Sequence, residues 1–237
     1  MNRIRIAIIG GGISGLYAAY LLESQGIYDY VLFEARERLG VRALSVALEG
    51  TVAGLSDPSE RFDLGPSWFW PDFQPQLDRL VADLGLERFV QNVQGDSVIE
   101  RIAGARPIRT QGYSTSASSV RLLGGMAALV DALAANVNPE KVRIGRAVRR
   151  LHACEQHLEI ESESGDGRRE SWVVEHILLA APPRLLAQDI DFLPGLPPSV
   201  AQLWRSTPTW MAPHAKYLAV FDSAFWNKTG LSGQARS

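Results

Sequence analysis

Residues 4–26 read IRIAIIGGGISGLYAAYLLESQG. Ile4, Ile6, Ala7, Ile8 and Ile9 make a short, nearly unbroken apolar run, the pattern of a strand buried on both faces of a parallel sheet. Gly10, Gly12 and Gly15 follow at once in G-x-G-x-x-G spacing. From Ser14 to Gln25 the apolar residues Leu16, Ala19, Tyr20 and Leu22 recur at helical intervals, and Gly26 stands where such a helix would end. A second apolar run, Tyr30 to Phe33, stops at Glu34. The order strand, glycine turn, helix, strand, acid predicts an α/β fold of Rossmann type.

Each of these residues has a physical reason to be there. Gly10 permits a tight turn, Gly12 lets a pyrophosphate approach the backbone, and Gly15 lets the helix pack close to the strand. The helix N-terminus at Ile13 and Ser14 then offers N–H groups and the positive end of a dipole. Glu34, at the end of the second strand, can accept hydrogen bonds from ribose hydroxyls. By themselves the glycines could merely form a turn and Glu34 could be a surface acid. Their joint placement favours a dinucleotide site.

The rest of the composition bounds the alternatives. The chain has 237 residues, 46% of them hydrophobic and 21% charged, enough for one core or for one domain and part of a second. A net charge of −2 without a basic stripe argues against nucleic acid. No stretch is apolar for the ~20 residues of a membrane helix. The single cysteine, Cys154, cannot form an internal disulfide, and no signal peptide is legible, so a cytoplasmic location is expected. The four histidines (His152, His157, His176 and His214) show no ligand spacing, and Cys154 lacks a partner motif and reads as a packed thiol. No metal site is therefore expected, and no Ser-His-Asp arrangement can be read.

GGGISGLYAAYLL, followed by VLFEARERLGVRALS at residues 31–45, resembles the flavin-containing amine oxidase family. That family continues from its ribose acid through an Ala-Arg pair into a Gly-Gly-Arg stretch along the FAD pyrophosphate. Glu34, Ala35, Arg36, Gly40 and Arg42 match; Val41 stands where the family has its second glycine. The segment FDLGPSWFWP, Phe62 to Pro71, is similar to the family's stretch beside the isoalloxazine ring. The resemblance thus places Gly65, Pro66, Ser67 and Trp68 at the cofactor, with Trp68 or Trp70 as a pocket wall; an aromatic turn packed into a core is the other reading. Val148 falls where family members contact adenine through the backbone, although a buried valine needs no ligand to explain it. In HAKYLAVFDSAFW, Lys216 precedes the Phe225-Trp226 pair by the distance at which the family carries a strand lysine that reaches flavin N5 through a water. Without the resemblance, Lys216 reads as a strand-edge lysine extending to solvent.

Between these motifs the sequence predicts an amphipathic helix over Asp72–Leu84 and two strands, Ser97–Arg101 and Arg106–Arg109. A polar loop follows over 111–119, and then a helix entered through Gly124-Gly125-Met126 and running to Ala135. Beyond these come a strand pair, Val142–Ile144 and Ala147–His152, and a hairpin, Leu158–Ser162 with Glu170–Val174. A buried strand over His176–Ala181 is stopped by Pro182 and Pro183. Trp204 and Trp210 could line a pocket or end a packed helix.

The resemblance implies an α/β protein: a Rossmann-like FAD-binding domain with a parallel sheet and β-meander, and an incomplete mixed-sheet substrate domain. The first comprises residues 1–70 and 120–182, the second 71–119 and 183–237. The implied activity is oxidation of a small-molecule amine to an imine with dioxygen as acceptor. Family members continue for about a hundred residues or more beyond GLSGQARS. That continuation carries a second FAD stretch and, in some members, a covalent flavin cysteine, so the expectation here is a truncated chain with noncovalent FAD. A non-enzymatic remnant or nucleotide-binding module remains an alternative, and an NAD-dependent dehydrogenase a lower one. The substrate and the oligomeric state are not legible.

Overall fold

The computed structural model describes residues 2–40, 42–47, 61–112, 118–208 and 215–236. Val41, Trp210 and His214 lie outside the described residues, as does the centre of the polar stretch at 113–117. By contacts the chain divides into two compact units, Met1–Leu44 with Ala127–Lys216, and Ser45–Met126 with Tyr217–Ser237. The described residues 45–47 and 61–70 therefore sit with the second unit, and 183–208 with the first.

The first unit holds a four-stranded sheet in the order Val142–Arg143, Tyr30–Phe33, Ile6–Ile9, His176–Leu179, parallel throughout. Ile6 pairs with Tyr30 and Ile9 with Phe33. Tyr30, Val31, Leu32 and Phe33 are all buried, which is why that strand is apolar without alternation. Helix Ile13–Ser24 follows the first of these strands, and its chain reverses through Gly26 at φ +73°.

A five-stranded sheet completes this unit, in the order Asn2–Arg3, Arg169–Val174, Leu158–Ser164, Arg146–Ala153, Asp191–Leu193. The core cluster joins Ala7, Ile9, Val31 and Phe33 of the parallel sheet to Val148, Leu151, Ile160, Trp172 and Val174 of the meander. Phe33 meets Trp172 edge-on at 5.5 Å between ring centroids, a geometry contributing about 0.5–1.5 kcal/mol beyond area burial.

Val142–Arg143 and Arg146–Ala153 are not a pair: the first joins the parallel sheet and the second the meander. Gly145, at φ +64°, turns the chain between them. His176–Leu179 is a strand but only partly buried, because it lies at the edge of its sheet. The hairpin is longer than expected, running over Leu158–Ser164 and Arg169–Val174.

The second unit is built from small sheets. Ser45–Val46 pairs with Phe62–Asp63, and Arg88–Val90 with Val120–Leu122. Asp96–Ile99 lies between Ile108–Thr110, antiparallel, and Leu231–Arg236, parallel. The amphipathic helix covers Pro75–Asp83, starting three residues later than its apolar spacing suggests because Pro75 is suited to the first turn. The helix entered through Gly124-Gly125 runs over Gly125–Ala135, its first two residues in this unit and the rest in the first.

Candidate functional site

The glycine turn is fixed by close backbone approaches. Gly10 has φ +116°, and a Cβ there would stand 2.6 Å from the Ala180 carbonyl oxygen. A Cβ on Gly15 would stand 1.9 Å from the Gly10 carbonyl oxygen, so the helix can meet the turn only through glycine. Gly12 is different. It is the N-cap of helix Ile13–Ser24 in extended conformation, with no side-chain capping bond, and no atom lies within 4 Å of its Cβ position. The helix therefore starts beside open space with its first N–H groups uncapped by a side chain, which suits an anion.

Glu34 is only 4% exposed. Its Oε2 accepts the Gly11 N–H at 2.8 Å and its Oε1 the Arg36 N–H at 2.9 Å. Each oxygen keeps a further lone pair for a hydroxyl donor. The backbone of Glu34 is held in turn, its N–H by the Arg143 carbonyl and its carbonyl by the Arg146 N–H. Gly40, at φ +79°, packs where a Cβ would collide with Val130, and its N–H donates to the Gly11 carbonyl at 2.9 Å. Both polar groups of Gly11 are thus held by the 34–40 segment. Ala35 and Arg36 are exposed beside them, and the Arg36 guanidinium lies 4.0 Å from Glu34 Oε1.

Ser14 and Arg42, both exposed, line a cavity of about 350 Å³ with residues 179–184, Thr207 and Pro208. The cavity lies at the carboxyl ends of strands Ile6–Ile9 and His176–Leu179, where doubly wound sheets bind ligands. An uncapped helix start, an arginine, a buried carboxylate and a glycine without a neighbour fit the pyrophosphate and ribose of a dinucleotide. Val148 is buried in the core at 7% exposure, its backbone opposite Ser162, so packing accounts for its side chain.

Gly65, Pro66, Ser67 and Trp68 belong to the second unit. Ser67 and Phe69 are buried, whereas Trp68 is 48% exposed. Phe69 exchanges both backbone hydrogen bonds with Val120, which fixes the segment and turns Trp68 outward. The residue that sequence reasoning missed is Asp63. It is 1% exposed, and its Oδ1 accepts from Ser45 Oγ at 2.7 Å and from the Met126 N–H at 2.8 Å. Gly125, at φ +71°, leaves room for that carboxylate: a Cβ there would stand 2.5 Å from Asp63 Oδ1. Asp63 thus caps the start of helix Gly125–Ala135 and anchors the 62–69 segment; in the sequence it is the acid of an Asp-x-Gly-x-x-Trp spacing, a likeness that points to the cofactor and not to a helix cap.

Lys216 is not on a strand. Residues 215–220 form no regular element, Lys216 is exposed, and Tyr217 and Val220 are 90% and 52% exposed. Phe225 and Trp226 lie in a 3₁₀ turn, Phe225–Thr229, stacked edge-on with each other and with Phe221. The Trp226 indole fills the space beside Gly233, which explains the Phe-Trp pair by packing. The histidines, expected to show no ligand arrangement, are partly brought together: strand register places His152, Cys154 and Glu159 side by side on the meander.

Residues 94–237 match the family described as flavin containing amine oxidoreductase, and residues 8–84 match a NAD(P)-binding Rossmann-like domain. The chain belongs to the flavin-containing amine oxidoreductase family. It is 41% identical over 91 residues to the tryptophan 2-monooxygenase of Pantoea agglomerans pv. gypsophilae, a stretch covering 38% of this chain and 12% of that protein. It is 31% identical over 138 residues to a probable flavin-containing monoamine oxidase A of Dictyostelium discoideum, covering 57% and 28%. Pig flavin-containing amine oxidase A (Sus scrofa) is 37% identical over 103 residues, covering 44% and 18%. The chain thus matches less than a third of the length of these relatives. A putrescine oxidase variant aligns over 99% of this chain and 69% of its own, with a TM-score of 0.76 at 19% identity. The cyclohexylamine oxidase of Brevibacterium oxydans aligns over 98% and 69%, with a TM-score of 0.75 at 20% identity. These two likenesses establish the fold.

Proposed function

We propose that this chain binds FAD noncovalently and takes part in oxidation of a small-molecule amine to an imine, with dioxygen as the final acceptor. The observation that carries the reading is the Gly11–Glu34 hydrogen bond beside an open, uncapped helix start, in a chain of this family. When bound, FAD supplies a two-electron acceptor for the hydride equivalent leaving the carbon next to the amine nitrogen, and dioxygen takes those electrons on. The protein's own residues do the holding. The N–H groups at Ile13, Ser14 and Gly15 receive the pyrophosphate, with Arg42 adding positive charge. Glu34 uses its remaining lone pairs for ribose hydroxyls, and Arg36 keeps that carboxylate partnered. Gly65 to Trp68 serve the ring end of the cofactor, Val148 the adenine through its backbone, and Lys216 the N5 side. Residues 1–70 and 120–182 are assigned to the cofactor and 71–119 and 183–237 to the substrate. The single cysteine suits a cytoplasmic placement. Among the described residues no helix is long and apolar enough to cross a membrane.

A second reading, a nucleotide-binding module without oxidase activity, is favoured by Lys216, which is exposed on an irregular segment. Anaerobic addition of primary and secondary amines to the FAD-loaded chain separates the two. Bleaching of the flavin absorbance, reversed by air, supports the oxidase. A stable flavin spectrum with every amine leaves the module.

A further inference from the structure

The meander of the first unit carries a second constellation that the cofactor does not use. Residues 152–159 read HACEQHLE. His152 lies directly opposite Glu159 in the antiparallel register, and the Cys154 N–H donates to the His157 carbonyl at 2.9 Å. His152 Nδ1 meets both Cys154 Sγ and Glu159 Oε2, and His157 Nε2 meets Glu159 Oε1, so the four side chains gather on one side of the hairpin end. The opposite face, through Leu151 and Ile160, is sealed in the core. The fold therefore gathers two imidazoles, a thiol and a carboxylate at one hairpin end while leaving them reachable. The side chains of His152, His157 and Glu159 are 43%, 37% and 34% exposed.

The spacing suits a small cation. Cys154 Sγ is 3.6 Å from His152 Nδ1, and His152 Nδ1 is 3.3 Å from Glu159 Oε2. His157 Nε2 is 3.3 Å from Glu159 Oε1. Metal bonds of 2.0–2.3 Å at tetrahedral angles put neighbouring ligand atoms about 3.3–3.8 Å apart. Ligand atoms of His152, Cys154 and Glu159 all lie within 4.8 Å of one another, and His157 reaches the same carboxylate. Arg150, on the strand beside them, is taken up by Glu161 and Asp191.

We propose that His152, Cys154 and Glu159, with His157 as the fourth donor, bind a divalent cation of the zinc class. Mixed imidazole and thiolate ligation selects zinc and its analogues over magnesium or calcium, which prefer oxygen alone. On binding, the Cys154 proton passes to solvent and the thiolate forms the metal–sulfur bond. The ion ties the ends of strands Arg146–Ala153 and Leu158–Ser164 together and so stabilises the meander.

Titration of the reduced, purified chain with Co²⁺ tests this by absorbance. The proposal expects about one equivalent bound, with a thiolate-to-cobalt charge-transfer band that Zn²⁺ displaces. Cys154→Ser should abolish the band, and His152→Ala or His157→Ala should weaken binding about tenfold or more. Zn²⁺ should raise the thermal midpoint of the wild type and not of Cys154→Ser, with far-UV circular dichroism unchanged by the substitution. Absence of the band in the reduced wild type, or its persistence in Cys154→Ser, overturns the site. So would equal Zn²⁺ stabilisation of both proteins.

Discussion

The Gly11 N–H donates to Oε2 of Glu34 at 2.8 Å, joining residues 23 positions apart. The other carboxylate oxygen takes the Arg36 N–H, and the Gly11 carbonyl takes the Gly40 N–H. The acid at the end of the second strand is therefore a structural part of the glycine turn as well as a candidate ligand for ribose. Hydrogen bonds to a buried charged group contribute about 1.5–3 kcal/mol each. Glu34→Gln turns an amide NH₂ toward one of two N–H donors. The expected loss is about 2 kcal/mol in denaturant unfolding, with FAD affinity falling at least about tenfold, that is about 1.4 kcal/mol.

Two glycines of the same turn should respond in opposite ways. Gly15→Ala places a methyl 1.9 Å from a backbone oxygen that cannot move freely, and should cost about 2 kcal/mol or more of stability. Gly12→Ala meets no atom within 4 Å, so stability should change by less than about 1 kcal/mol. Its methyl would occupy the space assigned to the pyrophosphate, so binding of FAD or ADP should weaken while the fold survives. Unfolding curves and ligand titrations on the two variants check this contrast.

Asp63 holds the start of helix Gly125–Ala135 from within the second unit. Asp63→Ala leaves the Met126 N–H and the Ser45 hydroxyl without this acceptor, at a cost of about 1–3 kcal/mol. Asp63→Asn keeps one carbonyl oxygen for those donors and should lose less. Equal losses in thermal unfolding would show that the cap is not what Asp63 supplies.

Tyr30 gives the fold a dependence on alkaline pH. Its ring is fully buried and its hydroxyl donates to Glu23 Oε1 at 2.5 Å, while the same oxygen accepts the Asn138 N–H. Burial, then the hydrogen bond to Glu23 and its charge, push the phenol far above its usual 10.0. Because the folded value is the higher one, this stabilisation is complete below pH 10 and is lost as pH rises from there toward the folded value. The slope is at most about 1.4 kcal/mol per pH unit. Tyr30→Phe should remove that portion of the slope in denaturant titrations between pH 9 and pH 11.5.

What the sequence made legible was local. The strand Ile6–Ile9, the glycine turn, helix Ile13–Ser24 and the strand ending at Glu34 lie within one continuous stretch, and periodicity alone orders them. What it hid depends on pairing. The role of Gly11 appears only once Glu34 folds back over it, and the Asp63 cap joins residues 63 positions apart. His152 and Glu159 meet because of a register that no spacing rule encodes. The partial exposure of His176–Leu179 follows from its edge position, which an apolar run cannot announce. Lys216 shows the opposite risk: its distance from Phe225-Trp226 matched, yet the residues around it form no strand.

The glycine turn and Glu34 are proposed as a working FAD site in this chain. The most direct test is titration of the purified 237-residue protein with FAD, followed by absorbance and flavin fluorescence, with ADP as competitor and Gly12→Ala alongside. Binding of about one equivalent of FAD is expected, competed by ADP and weakened by Gly12→Ala without loss of fold. A folded chain that binds neither FAD nor ADP, or one whose binding is indifferent to Gly12→Ala, would contradict it.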